Sequence, residues 1–284
     1  MADLVAAPDF VALGDLSLFP MAFGTMNLAG EGRPSKEVAL QTLRAACDAG
    51  VDLIDTADVY GRDGDDAHHA ETLVAALRQT HPSVKVATKG GVRRHGDVWE
   101  HRGDPAYLRS ACVASLRALQ RDVVDLYFLH AVDARVPIAE SVGALGRLRD
   151  EGKIARIGVS NVSAPELRAA LREAPLLAVQ NEGSPFVRMD PDVEAICRAE
   201  GLVLQAYAPM GGWRAGRVAH EPTLRRIATE LGLSPFEAIV AWTRSRGWMP
   251  VCGGSRPENA RSSAEAARRT LSDVQREAID ALAG

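Results

Sequence analysis

The sequence contains little of several residue types, and each shortage excludes a class of protein. Four cysteines occur in 284 residues, and Cys47, Cys112, Cys197 and Cys252 form neither a C-x-x-C pair nor a cluster with histidine. A disulfide framework and a structural zinc site are therefore not expected. No apolar run approaches the roughly 20 residues that span a bilayer, and the first ten residues lack the order of a secretory signal. The sequence predicts a cytoplasmic protein without a membrane segment.

Basic residues are also too few to give the chain a cationic surface. Lysines and arginines number 33 against 37 acidic residues, which gives a formal net charge of −4. Such a chain lacks the basic field that attracts nucleic acid or an anionic membrane. Lysine itself is rare, and Lys89 is unusual because it follows an apolar strand-like run. We expect a small-molecule partner rather than nucleic acid or membrane, and a monomer or small homo-oligomer.

The chain does contain a regular alternation of short apolar runs with longer segments of helical period. The predicted strands are 21–24, 51–54, 84–88, 124–129, 154–159, 176–180, 202–207 and 249–253. The predicted helices are 35–49, 68–79, 104–119, 138–150, 164–173, 190–200, 221–245 with a break near Ser234-Pro235, 257–268 and 272–283. Eight strand–helix units predict an α/β fold, a (β/α)8 TIM barrel in one domain over residues 1–284. Residues 9–19 predict a short N-terminal β-hairpin that closes the bottom of the barrel.

Four reactive side chains follow the C-terminal ends of the predicted strands, where the mouth of such a barrel lies. Asp55 and Tyr60 follow the second predicted strand, Lys89 the third and His130 the fourth. The ammonium of Lys89 is expected to lower the pKa of the Tyr60 phenol, and Asp55 would hold that ammonium in place. A neutral His130 would orient a substrate carbonyl toward Tyr60. The set predicts proton transfer to an oxygen atom.

The segments around these residues resemble the aldo-keto reductase superfamily from about residue 16 to residue 265. The matching motifs are LIDTADVYG, ATKGG, LYFLH, GKIARIGVSN and VCGGSRPENA. The resemblance implies a carbonyl reductase that uses NADPH, with NADH as the alternative cofactor, and that needs no metal. It also implies that Asp55, Tyr60, Lys89 and His130 form a catalytic tetrad in which Tyr60 protonates the carbonyl oxygen.

The resemblance further implies a site for the whole cofactor. Ser160, Asn161 and Gln180 would hold the nicotinamide carboxamide, Tyr207 would stack on the ring, and Arg256 would meet a 2′-phosphate. The full implied cofactor set is Gly24, Thr25, Met26, Asp55, Ser160, Asn161, Gln180, Tyr207, Ala208, Pro209, Met210, Gly211, Gly253, Gly254, Ser255, Arg256 and Asn259. The chain departs from the pattern at Gly253, where many NADPH-preferring relatives have lysine.

The substrate pocket is predicted from one polar segment and two tryptophans. Residues 92–103 are too many for a minimal turn, so we expect them to fold over the mouth. Trp99 in that segment and Trp213 after the seventh strand are the candidate substrate contacts. The paired histidines His68-His69 beside an acidic stretch permit a metal site, but a solvated helix start is the favoured interpretation.

Two other functions stay open from the sequence. The same residues would serve an NAD(P)-dependent dehydrogenase of a sugar or alcohol, because the reaction direction depends on cofactor ratios. A regulatory subunit that binds the cofactor with little turnover is the second alternative. The intact tetrad argues against the regulatory role.

Overall fold

A computed structural model of the chain describes residues 5–6, 10–96 and 98–283. The strands in chain order are β1 (Val5–Ala6), β2 (Val11–Leu13), β3 (Leu16–Leu18), β4 (Ala22–Gly24), β5 (Leu53–Asp55), β6 (Lys85–Gly90), β7 (Val92–His95), β8 (Val98–His101), β9 (Leu126–Leu129), β10 (Ile157–Ser160), β11 (Ala178–Glu182), β12 (Val203–Tyr207), β13 (Met249–Gly253) and β14 (Arg269–Thr270). Eight of them close a parallel barrel in the order β4, β5, β6, β9, β10, β11, β12, β13. The predicted (β/α)8 TIM barrel is confirmed.

The helices follow the barrel strands along the chain. They are α1 (Met26–Ala29), α2 (Lys36–Asp48), α3 (His69–Leu77), α4 (Pro105–Ala118), α5 (Ile138–Asp150), α6 (Ala164–Leu171), α7 (Pro191–Glu200), α8 (Pro222–Leu231), α9 (Pro235–Ser245), α10 (Pro257–Ala266) and α11 (Asp273–Asp280), with a 3-10 helix at Gly212–His220. Among the described residues, no helix has the length and apolar character needed to cross a membrane.

Capping side chains fix several of these helix starts. In the capping box of α9, the Ser234 N–H donates to Glu237 at 2.6 Å, and the Glu237 N–H donates back to the Ser234 hydroxyl at 3.3 Å. This arrangement pairs two amides that a helix start would otherwise leave without partners. The preceding helix α8 ends at Gly232 with φ 65°, a left-handed conformation that glycine adopts without a Cβ penalty. The predicted break near Ser234-Pro235 is therefore confirmed.

Two apolar clusters lie on the two sides of the barrel wall. One fills the space between strands and helices, and the other fills the barrel itself. Leu13 and Leu18 of the β2–β3 hairpin are almost fully buried in the inner cluster, against strand residues such as Leu126 and Phe128. The hairpin therefore closes the bottom of the barrel, as its position in the sequence predicts.

Three features were not predicted from the sequence. Strands β7 and β8 pair as an antiparallel hairpin, in register from Val92 opposite His101 to His95 opposite Val98. The segment after β12, expected as a short loop, is instead the 3-10 helix. Strand β1 pairs with β14 near the C-terminus. These three features depend on local turns or on pairing between short, distant segments. The spacing of apolar residues does not predict such turns and pairings.

Candidate active site

The four residues of the predicted tetrad meet at one end of the barrel. Asp55 is the last residue of β5 and Lys89 lies near the end of β6. His130 directly follows β9, and Tyr60 lies in the loop between β5 and α3. Because all eight strands are parallel, their C-terminal ends open toward the same side. The parallel barrel and the loop after β5 therefore bring an acid, a phenol, an amine and an imidazole together.

Lys89 lies at the centre of this group and is only 1% exposed. Its Nζ donates to Asp55 Oδ1 at 2.6 Å and to the Thr56 carbonyl oxygen at 2.9 Å. It also lies 3.4 Å from the Tyr60 hydroxyl oxygen. Burial alone would lower the pKa of Lys89, but its interactions with Asp55 and Tyr60 outweigh burial and raise that pKa. Lys89 is therefore a fixed ammonium at neutral pH.

The pKa of Tyr60 does not follow the prediction. Burial is the largest influence on this phenol and raises its pKa above the usual 10.0, while Lys89 acts in the opposite direction with a smaller effect. The net shift is upward, so the expectation of a lowered pKa is wrong. The sequence shows the nearby ammonium but not the depth of burial. Tyr60 consequently keeps its proton at neutral pH, with the hydroxyl beside a cation.

His130 completes the group as a neutral imidazole. Its ring meets that of Tyr60 edge to face, with centroids 5.9 Å apart and planes at 81°. Burial, followed by the charge of Lys89, lowers its pKa well below 6.5. Its buried Nδ1 has no hydrogen-bond partner among the described residues. A neutral imidazole beside the phenol can donate a hydrogen bond to a carbonyl oxygen, which is the predicted role.

Asp55 is held from both sides by residues of other strands. Gln180 Nε2 donates to Asp55 Oδ2 at 2.8 Å, while Lys89 occupies the other carboxylate oxygen. The same Gln180 amide donates to Gln205 Oε1 at 2.8 Å. Thr25 is fully buried, and its hydroxyl donates to the Asp55 carbonyl oxygen at 3.1 Å. Gln180 therefore anchors the carboxylate of Asp55, and Thr25 anchors its backbone.

The polar residues predicted for the nicotinamide end form one connected set across β10 to β12. Asn161 Nδ2 donates to the His130 carbonyl oxygen at 2.9 Å and lies 3.2 Å from Ser160 Oγ. The Tyr207 hydroxyl donates to Asn161 Oδ1 at 2.7 Å. Asn161 is exposed and has φ 57°, a left-handed conformation that asparagine tolerates better than most residues. An exposed amide and a half-exposed phenol ring thus lie next to the tetrad.

Glycines bring the strands β4 and β13 close together on the other side of the mouth. Gly24 pairs with Gly253, and a Cβ at Gly253 would lie 3.1 Å from the Gly24 carbonyl oxygen. Gly253 is exposed, and the Met26 side chain just after β4 is 54% exposed. This side of the mouth therefore presents bare backbone and an apolar side chain to solvent.

The remaining predicted cofactor residues flank this surface. Ala208 has φ 49° and accepts the Gly211 N–H at 2.7 Å, so residues 208–211, with Pro209 and Met210 inside, form a tight turn. Arg256 is exposed and is the N-cap of α10. Its guanidinium contains no hydrogen-bond acceptor, so it cannot cap the first amides of this helix. Gly254 is buried, Ser255 is half-buried and Asn259 is exposed in the first turn of α10.

The segment predicted to cover the mouth is the β7–β8 hairpin. Val92 is buried against Ala57, Val59 and Ala131, with Tyr60 packed beside them. Arg94 Nη1 donates to the Gly61 carbonyl oxygen at 2.6 Å and its guanidinium lies over the Trp99 ring, 5.3 Å from the centroid. Trp99 is 40% exposed on this inner face of the hairpin. The side chain of Trp213 lies outside the described residues.

A sequence profile of the Aldo/keto reductase family matches residues 20–283, nearly the whole chain. The protein belongs to the aldo/keto reductase family. Members of this family are NAD(P)H-dependent oxidoreductases that act on small carbonyl compounds, so the predicted enzyme class is confirmed.

Solved structures of aldo/keto reductases superimpose on the chain over most of its length. The glycerol dehydrogenase from Gluconobacter oxydans is 25% identical with a TM-score of 0.82, and the match covers 99% of this chain and 94% of that one. An aldo/keto reductase from Klebsiella pneumoniae in complex with NADP and acetate is 25% identical, with a TM-score of 0.82 and coverage of 96% and 95%. Another from that organism, in complex with NADPH, is 26% identical, with a TM-score of 0.82 and coverage of 98% and 94%.

Sequence reasoning missed three polar residues around the site of this aldo/keto reductase. Gln205, Thr88 and Glu71 are all fully buried and contact residues next to the tetrad. Gln205 and Thr88 stand inside otherwise apolar strands, which is the signal that could have revealed them. Among the described residues, no group of three or more His, Cys, Asp or Glu side chains has the arrangement of a metal site.

Proposed function

We propose that this enzyme reduces an aldehyde or ketone to an alcohol with NADPH, and that Tyr60 gives the proton. The observation that supports this most is the position of a protonated Tyr60 hydroxyl 3.4 Å from the buried Lys89 ammonium. When bound, NADPH supplies a hydride to the carbonyl carbon. The alkoxide that results needs a proton on its oxygen, and Tyr60 is placed to deliver it.

Each tetrad residue has a separate task in this proposal. Lys89 stabilises the negative charge that develops on the Tyr60 oxygen as the proton leaves, which is most effective in a water-poor site. Asp55 keeps Lys89 charged and in place through the 2.6 Å contact. His130, neutral and beside the phenol, donates a hydrogen bond to the substrate carbonyl oxygen and directs it toward Tyr60. The positions of the acid and the orienting donor are thereby fixed before substrate arrives.

The residues on the glycine-rich side fit a dinucleotide. Asn161 and Ser160 would bind the nicotinamide carboxamide, and the half-exposed Tyr207 ring would stack on the nicotinamide. The exposed Met26 and bare Gly253 backbone leave room for the ribose and pyrophosphate. The uncapped amides of α10 offer a phosphate site, since helix N-termini favour anions.

The cofactor preference rests on Arg256. It is exposed at the start of α10, and a guanidinium can bind a 2′-phosphate through two parallel hydrogen bonds. The Klebsiella pneumoniae aldo/keto reductases to which the chain is similar were solved with NADP and with NADPH. NADPH is therefore the proposed cofactor, and NADH is the alternative.

Substrate contacts are proposed at the hairpin. Trp99 lies on the face of the hairpin that packs on the Tyr60 loop and presents 40% of its surface. It would cover an apolar part of the substrate.

Oxidation of an alcohol is the second candidate, because the chain is similar to a glycerol dehydrogenase and the same tetrad serves both directions. The four thiols are unpaired, as expected in a reducing cytoplasm, and we propose that location together with a monomer or small homo-oligomer.

The test is turnover of purified enzyme with NADPH and a panel of aldehydes, ketones and sugars, followed at the reduced-nicotinamide absorbance band. We expect turnover of at least one carbonyl, and Tyr60→Phe should lower it by about 10² to 10⁴ because the ring stays while the donor is lost. Tyr127→Phe is the matched control, since its side chain is buried in the apolar cluster between strands and helices and its hydroxyl has no hydrogen-bond partner among the described residues. Full activity in Tyr60→Phe would contradict the proposed acid role.

A further inference from the structure

A fully buried carboxylate lies behind the catalytic tyrosine and takes no part in the tetrad. Glu71, in the first turn of α3, has no exposed surface. Its Oε1 accepts from the Thr88 hydroxyl at 2.6 Å, and its Oε2 lies 2.6 Å from His68 Nδ1. Thr88 directly precedes Lys89 on β6, and His68 directly precedes α3. The carboxylate of Glu71 therefore connects the strand that carries Lys89 with His68, the residue directly before α3.

His68 holds an uncommon backbone conformation at this point. Its φ is 65° and its ψ is 5°, the left-handed region that few non-glycine residues occupy. Such a conformation persists only where surrounding contacts maintain it. The imidazole of His68 contacts Glu71. His68 directly precedes α3, as its position in the sequence predicts, and 29% of its side chain is exposed.

The start of α3 is also bonded to the loop that carries Tyr60. The His68 N–H donates to the Asp58 carbonyl oxygen at 2.6 Å, and the Ala70 N–H donates to the Tyr60 carbonyl oxygen at 3.1 Å. Both donors lie at or just after the left-handed turn at His68. Two backbone hydrogen bonds therefore connect the start of α3 with the Tyr60 loop.

Apolar packing of the Tyr60 loop is confined to the face where Ala57 and Val59 meet Val92. A cavity of about 760 Å³ lies behind the loop, and its wall includes Asp58, Val59 and His68. A loop that borders a cavity lacks the close contacts that fix side chains in a packed core. On the side of this cavity, the hydrogen bonds from the start of α3 add to the bond that Arg94 donates to the Gly61 carbonyl oxygen.

We propose that Glu71 is a positioning residue for catalysis. Through His68 it fixes the Tyr60 loop, and through Thr88 it fixes the strand segment of Lys89, so that the two reacting groups keep their 3.4 Å separation. Glu71 contacts neither of these groups directly. The inference rests on the proposed function only in that carbonyl reduction is one of its readouts. Since small misplacements of an acid can cost large factors in rate, a kinetic effect is expected.

The main experiment compares Glu71→Met with Glu71→Gln. Methionine has similar bulk and removes both hydrogen bonds, while glutamine can still bond Thr88 and His68 through its amide. We expect Glu71→Met to lower kcat about tenfold with KM and the NADPH dissociation constant unchanged. Glu71→Gln should retain most of the wild-type kcat. A Glu71→Met enzyme with wild-type kcat would overturn the proposal, even if its melting temperature fell.

A second variant tests the route through His68. Glycine adopts the left-handed conformation without a Cβ penalty, so adding His68→Gly to Glu71→Met should restore part of the lost kcat. A merely structural role of Glu71 predicts no such rescue. Absence of any recovery in the double variant would contradict the coupling to the Tyr60 loop.

Hydrogen exchange separates this inference from the proposed function. In Glu71→Met the amides of His68 and Ala70 should exchange faster than in the wild type, because their bonds to the loop weaken. This readout needs no turnover, so it remains decisive if no tested carbonyl is reduced. Unchanged exchange at both amides would overturn the positioning role, whereas an inactive wild type would count only against the proposed function.

Discussion

The two halves of the barrel mouth differ in the burial of their polar groups. On the side of β5 and β6, Asp55 and Lys89 are almost fully buried and bonded to each other, and the buried Gln180 of β11 donates to Asp55 as well. On the side of β4 and β13, bare backbone at Gly253 and the apolar side chain of Met26 face solvent. One half is already closed around its charges, and the other is open.

The difference matches the two tasks of a reductase. Stabilising charge in a reaction works best where water is excluded and the dipoles are already in place. Holding a long cofactor requires surface that the protein itself leaves uncovered. The pKa shifts of Tyr60 and His130 follow from burial on the closed side. Substitutions on the closed side should therefore change the rate, and those on the open side should change affinity.

Loss of the buried ammonium should give the largest effect. Lys89→Met removes the charge beside Tyr60 and leaves Asp55 buried without its cationic partner, which also destabilises the fold. We expect kcat to fall about 10³-fold with little change in NADPH affinity. The measurement is turnover at saturating NADPH, with cofactor binding followed by fluorescence.

The control for this substitution is Lys153→Met. Lys153 pairs with Glu151 at 3.0 Å on the protein surface, where an ion pair contributes little. Its kcat should equal that of the wild type. Equal losses in the two variants would show that the closed half is not the site of charge stabilisation.

A charge on the open half should affect binding and not rate. Arg256→Ala should weaken NADPH about tenfold and leave NADH unchanged, because only NADPH has the 2′-phosphate. Arg261→Ala, an exposed arginine of the same helix α10, is the matched control. Equal weakening of both cofactors in Arg256→Ala would exclude a contact with the 2′-phosphate.

The hairpin at the rim should show the smallest effect of the three. Trp99→Ala should raise KM about fivefold for an apolar or aromatic carbonyl and leave kcat unchanged, since it removes binding that ground and transition states share. Val98 is 65% exposed on the same hairpin, and Val98→Ala should have no effect. A fall in kcat without a rise in KM would place Trp99 in the chemistry instead.

Much of the closed half could be predicted from the sequence. An acidic residue lies at the end of β5 and a basic residue lies near the end of β6. Parallel strands in a barrel bring their ends together, so the ion pair of Asp55 and Lys89 could be predicted without coordinates. The apolar runs likewise predict all eight barrel strands, and the serine caps predict helix starts such as that of α9.

What could not be predicted depends on burial and on long-range pairing. Desolvation raises the pKa of Tyr60 and the nearby charge of Lys89 lowers it. The extent of desolvation is known only from the folded structure. The contact of Glu71 with Thr88 joins residues 17 positions apart on different elements, and their residue types do not identify each other as partners. The β7–β8 hairpin pairs polar strands without a regular apolar alternation.

The central claim is that burial keeps the proton on Tyr60 until the substrate takes it. An ultraviolet difference titration of the wild type against Tyr60→Phe isolates the ionisation of this one phenol. Because burial raises its pKa, the account predicts that Tyr60 ionises at a higher pH than an ordinary phenol and keeps its proton at neutral pH. A Tyr60 phenolate signal that develops near neutral pH would contradict the account.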